Sequence, residues 1–339
     1  MGEYARCLSL ARALQSRWPD VRSHFLLSRH APYATTTPFD TRVLSASVTL
    51  AAREFERELL AIRPQLVVFD NAGRTEQLRA TQALGAKIVY ISSRGKQRYK
   101  AFRLRWMRLL DEHWIAYPAD LFGALTIVER CKLALLHRPQ VRFIDAMLAP
   151  CDESTATGSK ARPLAAGAVI FVPGGGSAHK GAKELPGHFL DAACQLARNG
   201  VAVQFVAGPA FALDIPPLEA MQVLRAPAGA ELMAALARAH LVVVNGGDTL
   251  LQALIMGKAC VALAIAADQK SRVQWCAKRN VIATAPPARL TDTITALLAN
   301  PARLAQLRAN ATATGWHDGL PTAIRAMGQL LGKSQSVQD

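Results

Sequence analysis

The sequence predicts an α/β protein built from two doubly wound parallel sheets. Short apolar, β-branched runs alternate with amphipathic helical segments along the chain, which is typical of parallel sheets covered by helices. The length of 339 residues exceeds what one core usually supports. A stretch rich in Ser, Thr, Gly, Ala and Pro interrupts the pattern at residues 151–166. We interpret this stretch as a linker between two domains.

Both halves have the same strand–helix rhythm. The predicted strands of the amino-terminal domain, residues 1–150, are 23–27, 66–70, 87–92 and 114–116. Those of the carboxyl-terminal domain, residues 167–339, are 168–172, 201–206, 223–225, 241–244 and 259–263. The predicted helices are 4–17, 50–62, 74–84, 98–110, 185–198, 230–239, 248–256 and 270–279. Two such domains predict a cleft lined by the carboxyl ends of strands, where α/β sheets bind ligands.

Composition narrows the function classes. A net charge of +15 calls for an anionic substrate, partner or surface. The sequence has no helix-turn-helix, zinc-finger or RNP-type signature, so we expect no nucleic acid partner. The six cysteines are scattered without a Cys-x-x-Cys pair, which is typical of thiols in a reducing cytoplasm. No apolar run is long enough to cross a bilayer. We therefore expect a cytoplasmic enzyme that contacts the inner membrane only peripherally.

A glycine turn follows the predicted strand 241–244. Its residues are Asn245, Gly246, Gly247, Asp248 and Thr249, and an apolar helical pattern begins directly after them. Asp248 or Thr249 can cap that helix. A strand, a glycine turn and a helix amino terminus together offer backbone N–H groups and a positive dipole end to an anion. The alternative is an ordinary strand–helix turn.

A second glycine turn, Gly174, Gly175, Gly176 and Ser177, follows the predicted strand 168–172. It has neither the Walker pattern nor Gly-x-Gly-x-x-Gly, so the sequence supports neither an ATPase nor a nicotinamide enzyme. Successive glycines suit close approach of the backbone to a diphosphate. A third polar stop, Asp268 and Gln269, follows the predicted strand 259–263.

These motifs carry a resemblance to a known family. The segments "PGGGSAHKGAKE", "NGGDTLLQALIMGKA", "AADQ" and "MGEYARCLSLARAL" resemble the motifs of GT-B glycosyltransferases. The resemblance is greatest to the branch of the peptidoglycan N-acetylglucosaminyltransferase and the UDP-sugar hydrolase of pseudaminic acid synthesis. It covers most of the second half and the first predicted helix, whereas residues 30–150 match only in rhythm.

The resemblance implies a nucleotide-sugar donor, most readily a UDP-sugar, held by the carboxyl-terminal domain. The two glycine turns would hold the diphosphate, and Asp268 and Gln269 would contact the donor sugar. Gln252 stands where the family has a Glu that binds the ribose hydroxyls, so donor affinity and nucleotide choice are open. The sequence contains no Asp-x-Asp motif, so we expect no metal ion. We also expect no cofactor beyond the donor, and a transfer that inverts the anomeric centre.

Two carboxylates are candidate general bases. Glu3 stands where the family has a His, and it can act as a base if burial raises its pKa. The alternative is an acid favoured by the dipole of the first helix. Asp70 follows the predicted strand 66–70 and is the second candidate, with turn and cap chemistry as its alternative.

A basic segment runs from Arg94 to Arg108, with seven basic residues and no acid. Its apolar residues are Phe102, Trp106, Leu109 and Leu110. The spacing predicts a basic amphipathic helix that binds an anionic membrane surface and brings the enzyme to an anionic or lipid-linked acceptor. The alternative is a helix that covers the sheet and has a solvated basic face.

Three function classes follow from these observations. The first is a glycosyltransferase, the second is a nucleotide-sugar hydrolase of the same fold, and the third is a catalytically weakened binding or scaffold protein. The related proteins also have a buried strand before the segment that matches Gly2 and Glu3. The sequence therefore predicts an amino-terminal sheet that lacks its first strand, and we expect that strand to be encoded upstream. The alternative is a functional short form.

Overall fold

The computed structural model describes residues 2–150, 167–175 and 184–333. It forms two compact units. The amino-terminal unit combines Gly2–Met147 with the chain from Gly319 onward, and the carboxyl-terminal unit spans Leu148–Asp318. The sequence had placed all of 167–339 in one domain, so the end of the chain differs from that prediction. The predicted linker, 151–166, lies outside the described residues.

The described part of the amino-terminal unit holds six strands in two parallel sheets. The strands are β1 (His24–Ser28), β2 (Asp40–Leu44), β3 (Leu66–Asp70), β4 (Lys87–Ser92), β5 (Glu112–Ile115) and β6 (Gln140–Phe143). The first sheet pairs β1 with β2, and the second has the order β3–β4–β5–β6. No strand pairing joins the two sheets within the described residues.

The helices of this unit alternate with the strands. They are α1 (Gly2–Arg17), α2 (Ala52–Ile62), α3 (Thr75–Ala83), α4 (Gly95–Ala101), α5 (Leu104–Met107), α6 (Ala119–Phe122), α7 (Ile127–Leu136) and, from the end of the chain, α14 (Leu320–Leu330). α14 shares a core with Leu10 and Leu14 of α1. Its Gly328 lies against Trp18, where an added Cβ would be 2.5 Å from the indole ring. This close approach explains how the last helix packs in the amino-terminal unit.

The predicted helix over 98–110 is instead two short helices, α4 and α5. Trp106 and Leu110 are fully buried, and Phe102 is 2% exposed. Trp106, Leu109 and Leu110 pack with residues of α2, β3 and β4. These apolar side chains are therefore part of the protein core, as the alternative interpretation requires, and they cannot contact a bilayer.

The carboxyl-terminal unit has one parallel sheet. Its strands are β7 (Val169–Val172), β8 (Val203–Ala207), β9 (Met221–Arg225), β10 (Leu241–Asn245) and β11 (Cys260–Leu263). Its described helices are α8 (Leu185–Arg198), α9 (Gly229–Arg238), α10 (Asp248–Ile255), α11 (Ala267–Lys278), α12 (Leu290–Leu298) and α13 (Pro301–Ala313). Every residue of β7, β8, β10 and β11 is buried, which explains their continuous apolar runs.

The strand order of this sheet is β11–β10–β7–β8–β9. The chain therefore adds β8 and β9 on one side of β7, and then returns to add β10 and β11 on the other. The order reverses between β7 and β10. In doubly wound sheets, ligands bind outside the carboxyl ends of the strands at such a switch point.

No described helix combines the length and the apolar character that crossing a bilayer requires.

Candidate functional site

The two glycine turns emerge side by side at the switch point. β7 and β10 pair in parallel, with Val172 opposite Val244, so the residues after each strand leave the same edge of the sheet. The structure thus brings Gly174 next to Asn245. Gly176 and Ser177 lie outside the described residues.

Asn245 joins the two turns. Its Nδ2 donates to the carbonyl oxygen of Pro173 at 2.8 Å, and its Oδ1 accepts from the backbone N–H of Gly247 at 2.7 Å. The residue is 7% exposed. The sequence marked Asn245 as a ligand contact, whereas both ends of its amide are bonded within the chain. Its observed contacts fix the separation of the two turns.

Close backbone packing explains why glycine is required at this edge. Gly174 has a φ of +106°, and an added Cβ there would lie 2.2 Å from Nδ2 of Asn245. Gly208, which follows β8, would place a Cβ 2.4 Å from the carbonyl oxygen of Gly174. The edge of the sheet is consequently formed by main chain, whose N–H groups can approach an anion closely.

Helix α10 begins at this edge. Its first residue is Asp248, so Gly247 is the N-cap, and the prediction that Asp248 or Thr249 caps the helix is wrong. The N-cap residue is a glycine and offers no side chain to the first turn of the helix. The positive end of the helix dipole points out of the turn, which favours a negatively charged group there. Gln252 lies one turn further along α10 and is partly buried.

Helix α11 supports the turn from the other side. Gln269 is 9% exposed, and its Oε1 accepts from the backbone N–H of Ile265 at 3.0 Å. An added Cβ at Gly246 would lie 3.0 Å from Cβ of Gln269 and 2.6 Å from Val273. Asp268 is the second residue of α11, and its side chain lies outside the description.

Arg272 is a residue of this site that the sequence reasoning missed. It is 7% exposed, and its Nη1 donates to the carbonyl oxygen of Gly246. Its guanidinium therefore lies at the glycine turn and adds a positive charge to the backbone dipoles there. The signal in the sequence is its spacing, three residues after Gln269 on the same helix.

The candidate bases of the amino-terminal unit lie at the carboxyl end of β3. Arg6 of α1 forms a bidentate ion pair with Asp70, with Nε–Oδ2 at 2.9 Å and Nη2–Oδ1 at 3.0 Å. The two side chains are 8% and 3% exposed. Since both carboxylate oxygens of Asp70 bind a buried guanidinium, this geometry favours a structural role over general base catalysis.

Glu3 is more accessible, with its side chain 33% exposed. Its Oε1 accepts from Nδ2 of Asn71 at 3.3 Å and lies 3.6 Å from Nη2 of Arg94. Burial raises the pKa of Glu3. Hydrogen bonding to its own backbone and the charges of Arg6 and Arg94 lower this pKa, and they contribute to a net pKa below the usual value of a glutamate. The condition under which the sequence would make Glu3 a general base, a net pKa raised by burial, is therefore not met.

Glu112 and His113, which follow the basic segment 94–108, have structural partners. Glu112 binds Arg142 at 2.8 and 3.0 Å, and Nε2 of His113 bonds Oγ of Ser92 at 2.8 Å. In the described part of the chain, no three His, Cys, Asp or Glu side chains group as metal ligands. Metal-independent chemistry stays a prediction, because it was inferred only from the absence of an Asp-x-Asp motif in the sequence.

Comparison with known proteins gives structural neighbours only. No sequence-family profile matches the chain, and no curated protein matches it. The glycotransferase of kitacinnamycin aligns with a TM-score of 0.61 and 15% identity, covering 95% of this chain and 94% of that one. MurG of Acinetobacter baumannii aligns with a TM-score of 0.58 and 14% identity, covering 97% and 96%.

A Listeria monocytogenes protein, named as a candidate UDP-N-acetylglucosamine 2-epimerase, aligns with a TM-score of 0.63 and 14% identity. The alignment covers 100% of this chain and 96% of the Listeria protein. These neighbours confirm the predicted GT-B fold with two Rossmann-like domains. At such identities, they show the fold and leave the activity to be argued from the site.

Proposed function

We propose that the protein is a glycosyltransferase that takes a sugar from a nucleotide-diphosphate donor, most readily a UDP-sugar. The observation that carries the proposal is the pair of glycine turns at the β7/β10 switch point, joined by Asn245. In α/β sheets this position binds nucleotides and their phosphates. The GT-B fold supports the same function class.

The chemistry of the site suits a departing nucleoside diphosphate. As the bond to the sugar breaks, negative charge grows on the diphosphate and needs stabilisation. Backbone N–H groups of the turns, the positive end of α10 and the guanidinium of Arg272 supply it without a metal ion. Gln252 would bond the ribose hydroxyls without a charge, and Asp268 and Gln269 would contact the sugar. The transfer would invert the anomeric centre.

The amino-terminal unit would provide the acceptor side. Glu3, with its oxygen near Asn71 and Arg94, is the accessible carboxylate, whereas Asp70 is paired with Arg6. The basic residues of this unit suit an anionic or lipid-linked acceptor.

A nucleotide-sugar hydrolase or epimerase is the second candidate. The Listeria neighbour is named for a reaction on a nucleotide sugar that needs no acceptor. Either enzyme would use the same donor site.

Thermal unfolding with UDP, GDP, dTDP and CMP tests the donor site. Binding stabilises the native state, by about 2.7 kcal/mol at a ligand concentration of one hundred times Kd, so we expect UDP to raise Tm most. Incubation of radiolabelled UDP-sugars with and without acceptors then separates the two activities. Release of free sugar or an epimer without acceptor supports the second candidate. If no nucleotide shifts Tm, the donor site is absent and the scaffold interpretation replaces both.

A further inference from the structure

Three basic side chains of the carboxyl-terminal unit meet at the amino ends of β10 and β11, and we call them the His240 cluster. His240 directly precedes β10, Lys258 lies two residues before β11, and Arg308 belongs to α13. Nη2 of Arg308 donates to Nδ1 of His240 at 3.0 Å and to the carbonyl oxygen of the same residue at 2.9 Å. The glycine turns leave the opposite edge of the sheet, about 20 Å away along β10, because a strand rises about 3.3 Å per residue.

Lys258 joins the cluster at the end of α9. Its Nζ donates to the carbonyl oxygen of Ala237 and, at 3.4 Å, to that of Ala239. Ala239 is the C-cap of α9, and His240 follows it, so Lys258 and Arg308 both bind carbonyl groups at the end of one helix. The carboxyl end of a helix carries a negative charge of only about one half. Two full positive charges exceed it, so the helix end alone leaves the cluster positive.

The side chains around the cluster add to its positive charge. Arg308 and Lys258 act on His240, and Arg308 also acts on Lys258. Burial, and secondarily these like charges, lower the pKa of both His240 and Lys258. In the part of the chain that the structure describes, none of the three forms an ion pair with Asp or Glu. Positive charge that the protein does not compensate favours an anion at this position.

The cluster also has hydrogen-bond donors that the protein does not use. A lysine ammonium has three N–H groups and a guanidinium has five. The end of α9 and His240 leave N–H groups of Lys258, and those on Nε and Nη1 of Arg308, without a partner among the described residues. Because Nδ1 of His240 accepts from Arg308, Nε2 carries the proton of the neutral ring and is a further donor. All three side chains are partly exposed, so a ligand can reach them from solvent.

We propose that the His240 cluster binds a phosphate group. Arg308 offers a fork of N–H groups that matches two phosphate oxygens, and Lys258 and Nε2 of His240 offer donors to the others. A phosphate dianion supplies the negative charge that the neighbouring side chains lack. Because this site lies at the other edge of the sheet from the glycine turns, it is distinct from the donor site of the proposed function.

Histidine NMR tests the proposal in the parent chain. Inorganic phosphate should shift the ring resonances of His240, which are identified by their absence in H240Q. It should also raise the pKa of this ring, because a bound anion favours the charged form. Sodium chloride at matched ionic strength is the control for screening. Since the signal is local to His240, phosphate at the glycine turns does not produce it, and the result does not depend on whether UDP binds.

Variants that remove one basic group test the contribution of each side chain. R308Q and K258Q should each weaken phosphate binding at least tenfold, measured as the phosphate concentration that half-saturates the His240 shift. R303Q, on the same helix as Arg308, and K278Q, on α11, lose the same charge elsewhere in the unit and are the matched controls. R308K keeps the charge without the fork, so its affinity should lie between those of the parent chain and R308Q.

A titration with glycerol 3-phosphate identifies the source of the phosphate group. Tighter binding than that of inorganic phosphate assigns the site to a phosphorylated small molecule, whereas equal or weaker binding assigns it to free phosphate. Three results would overturn the proposal: an unmoved His240 resonance in the parent chain, a shift that chloride reproduces, or equal losses in R303Q and R308Q. Lys258 and Arg308 would then serve only to bind the end of α9.

Discussion

In each unit, polar residues lie where the parallel strands end, but the two units use them in opposite ways. In the carboxyl-terminal unit, neutral amides and glycines shape the edge, and Asn245 joins turns whose main chain lies close together. In the amino-terminal unit, charged side chains pair with each other, as Arg6 does with Asp70 and Arg94 with Glu3. The first arrangement leaves dipoles for a ligand, whereas the second uses its charges to hold the fold.

Breaking the Arg6–Asp70 pair should have the largest effect. Asp70→Ala leaves a buried guanidinium without its partner, which typically costs about 3–5 kcal/mol of unfolding free energy. We expect a large fall in the stability of the amino-terminal unit, measured by urea denaturation, with nucleotide affinity retained under native conditions. The double variant R6M/D70L should recover most of that stability. If D70A instead stays stable and loses turnover, Asp70 is a catalytic residue.

Crowding the glycine turn should have the next largest effect, and in the other unit. A side chain at Gly247 would place its Cβ 2.6 Å from Oδ1 of Asn245. Gly247→Val should therefore displace the turn and weaken nucleotide binding about a hundredfold, or about 2.7 kcal/mol, at little cost in stability. Gly95→Ala is the control, because a Cβ there meets nothing within 4 Å. Calorimetry showing unchanged affinity in folded G247V would refute the placement of the diphosphate.

The fold was largely predictable because its signals are local. The bounds predicted for β3, β4 and α8 match the structure, since buried strands and amphipathic helices have characteristic periods. The glycine turns were found for the same reason. The Arg6–Asp70 pair joins residues 64 positions apart, and the return of α14 to the first unit depends on a glycine fitting against Trp18. Such tertiary contacts leave no periodic pattern. Because the sequence alone does not show that Arg6 pairs with Asp70, Asp70 was predicted as a candidate base.

Acid should destabilise the amino-terminal unit through His113. Burial, and secondarily the charge of Arg98, lower the pKa of His113 to about 3 from its usual 6.5. Between these values the unfolded chain binds the proton and the folded chain does not, so stability falls as pH falls from about 6.5 towards 3, by about 1.4 kcal/mol per unit. His113→Gln, which can still bond Ser92, should flatten this slope in denaturation curves. An unchanged slope would assign the acid sensitivity to other groups.

Removing the amide that joins the two turns should have a smaller effect. Asn245→Ala loses the bonds to Pro173 and Gly247 but adds no bulk, so we expect nucleotide affinity to fall about tenfold, near 1.4 kcal/mol. Asn245→Asp should lose more, because its carboxylate would repel the diphosphate. Equal losses in the two variants, measured by calorimetry, would mean that charge near the turns does not matter and that the ligand lies elsewhere.

We expect the smallest effect from a change at Glu3. This variant tests whether the contacts of Glu3 with Asn71 and Arg94 serve catalysis or only the fold. A general base typically contributes a factor of about 100 to 10,000 to the rate. The pKa of Glu3 is lowered, so the carboxylate is ionised and only weakly basic at neutral pH. We therefore expect Glu3→Gln to lower turnover less than tenfold and to leave nucleotide affinity unchanged, since the amide keeps an oxygen that can accept from Asn71. Single-turnover rates on a saturating donor are the measurement. A loss of a hundredfold or more, with an acid limb in the pH profile of the parent chain that E3Q lacks, would establish Glu3 as the base and show that the two units differ less than their contacts suggest.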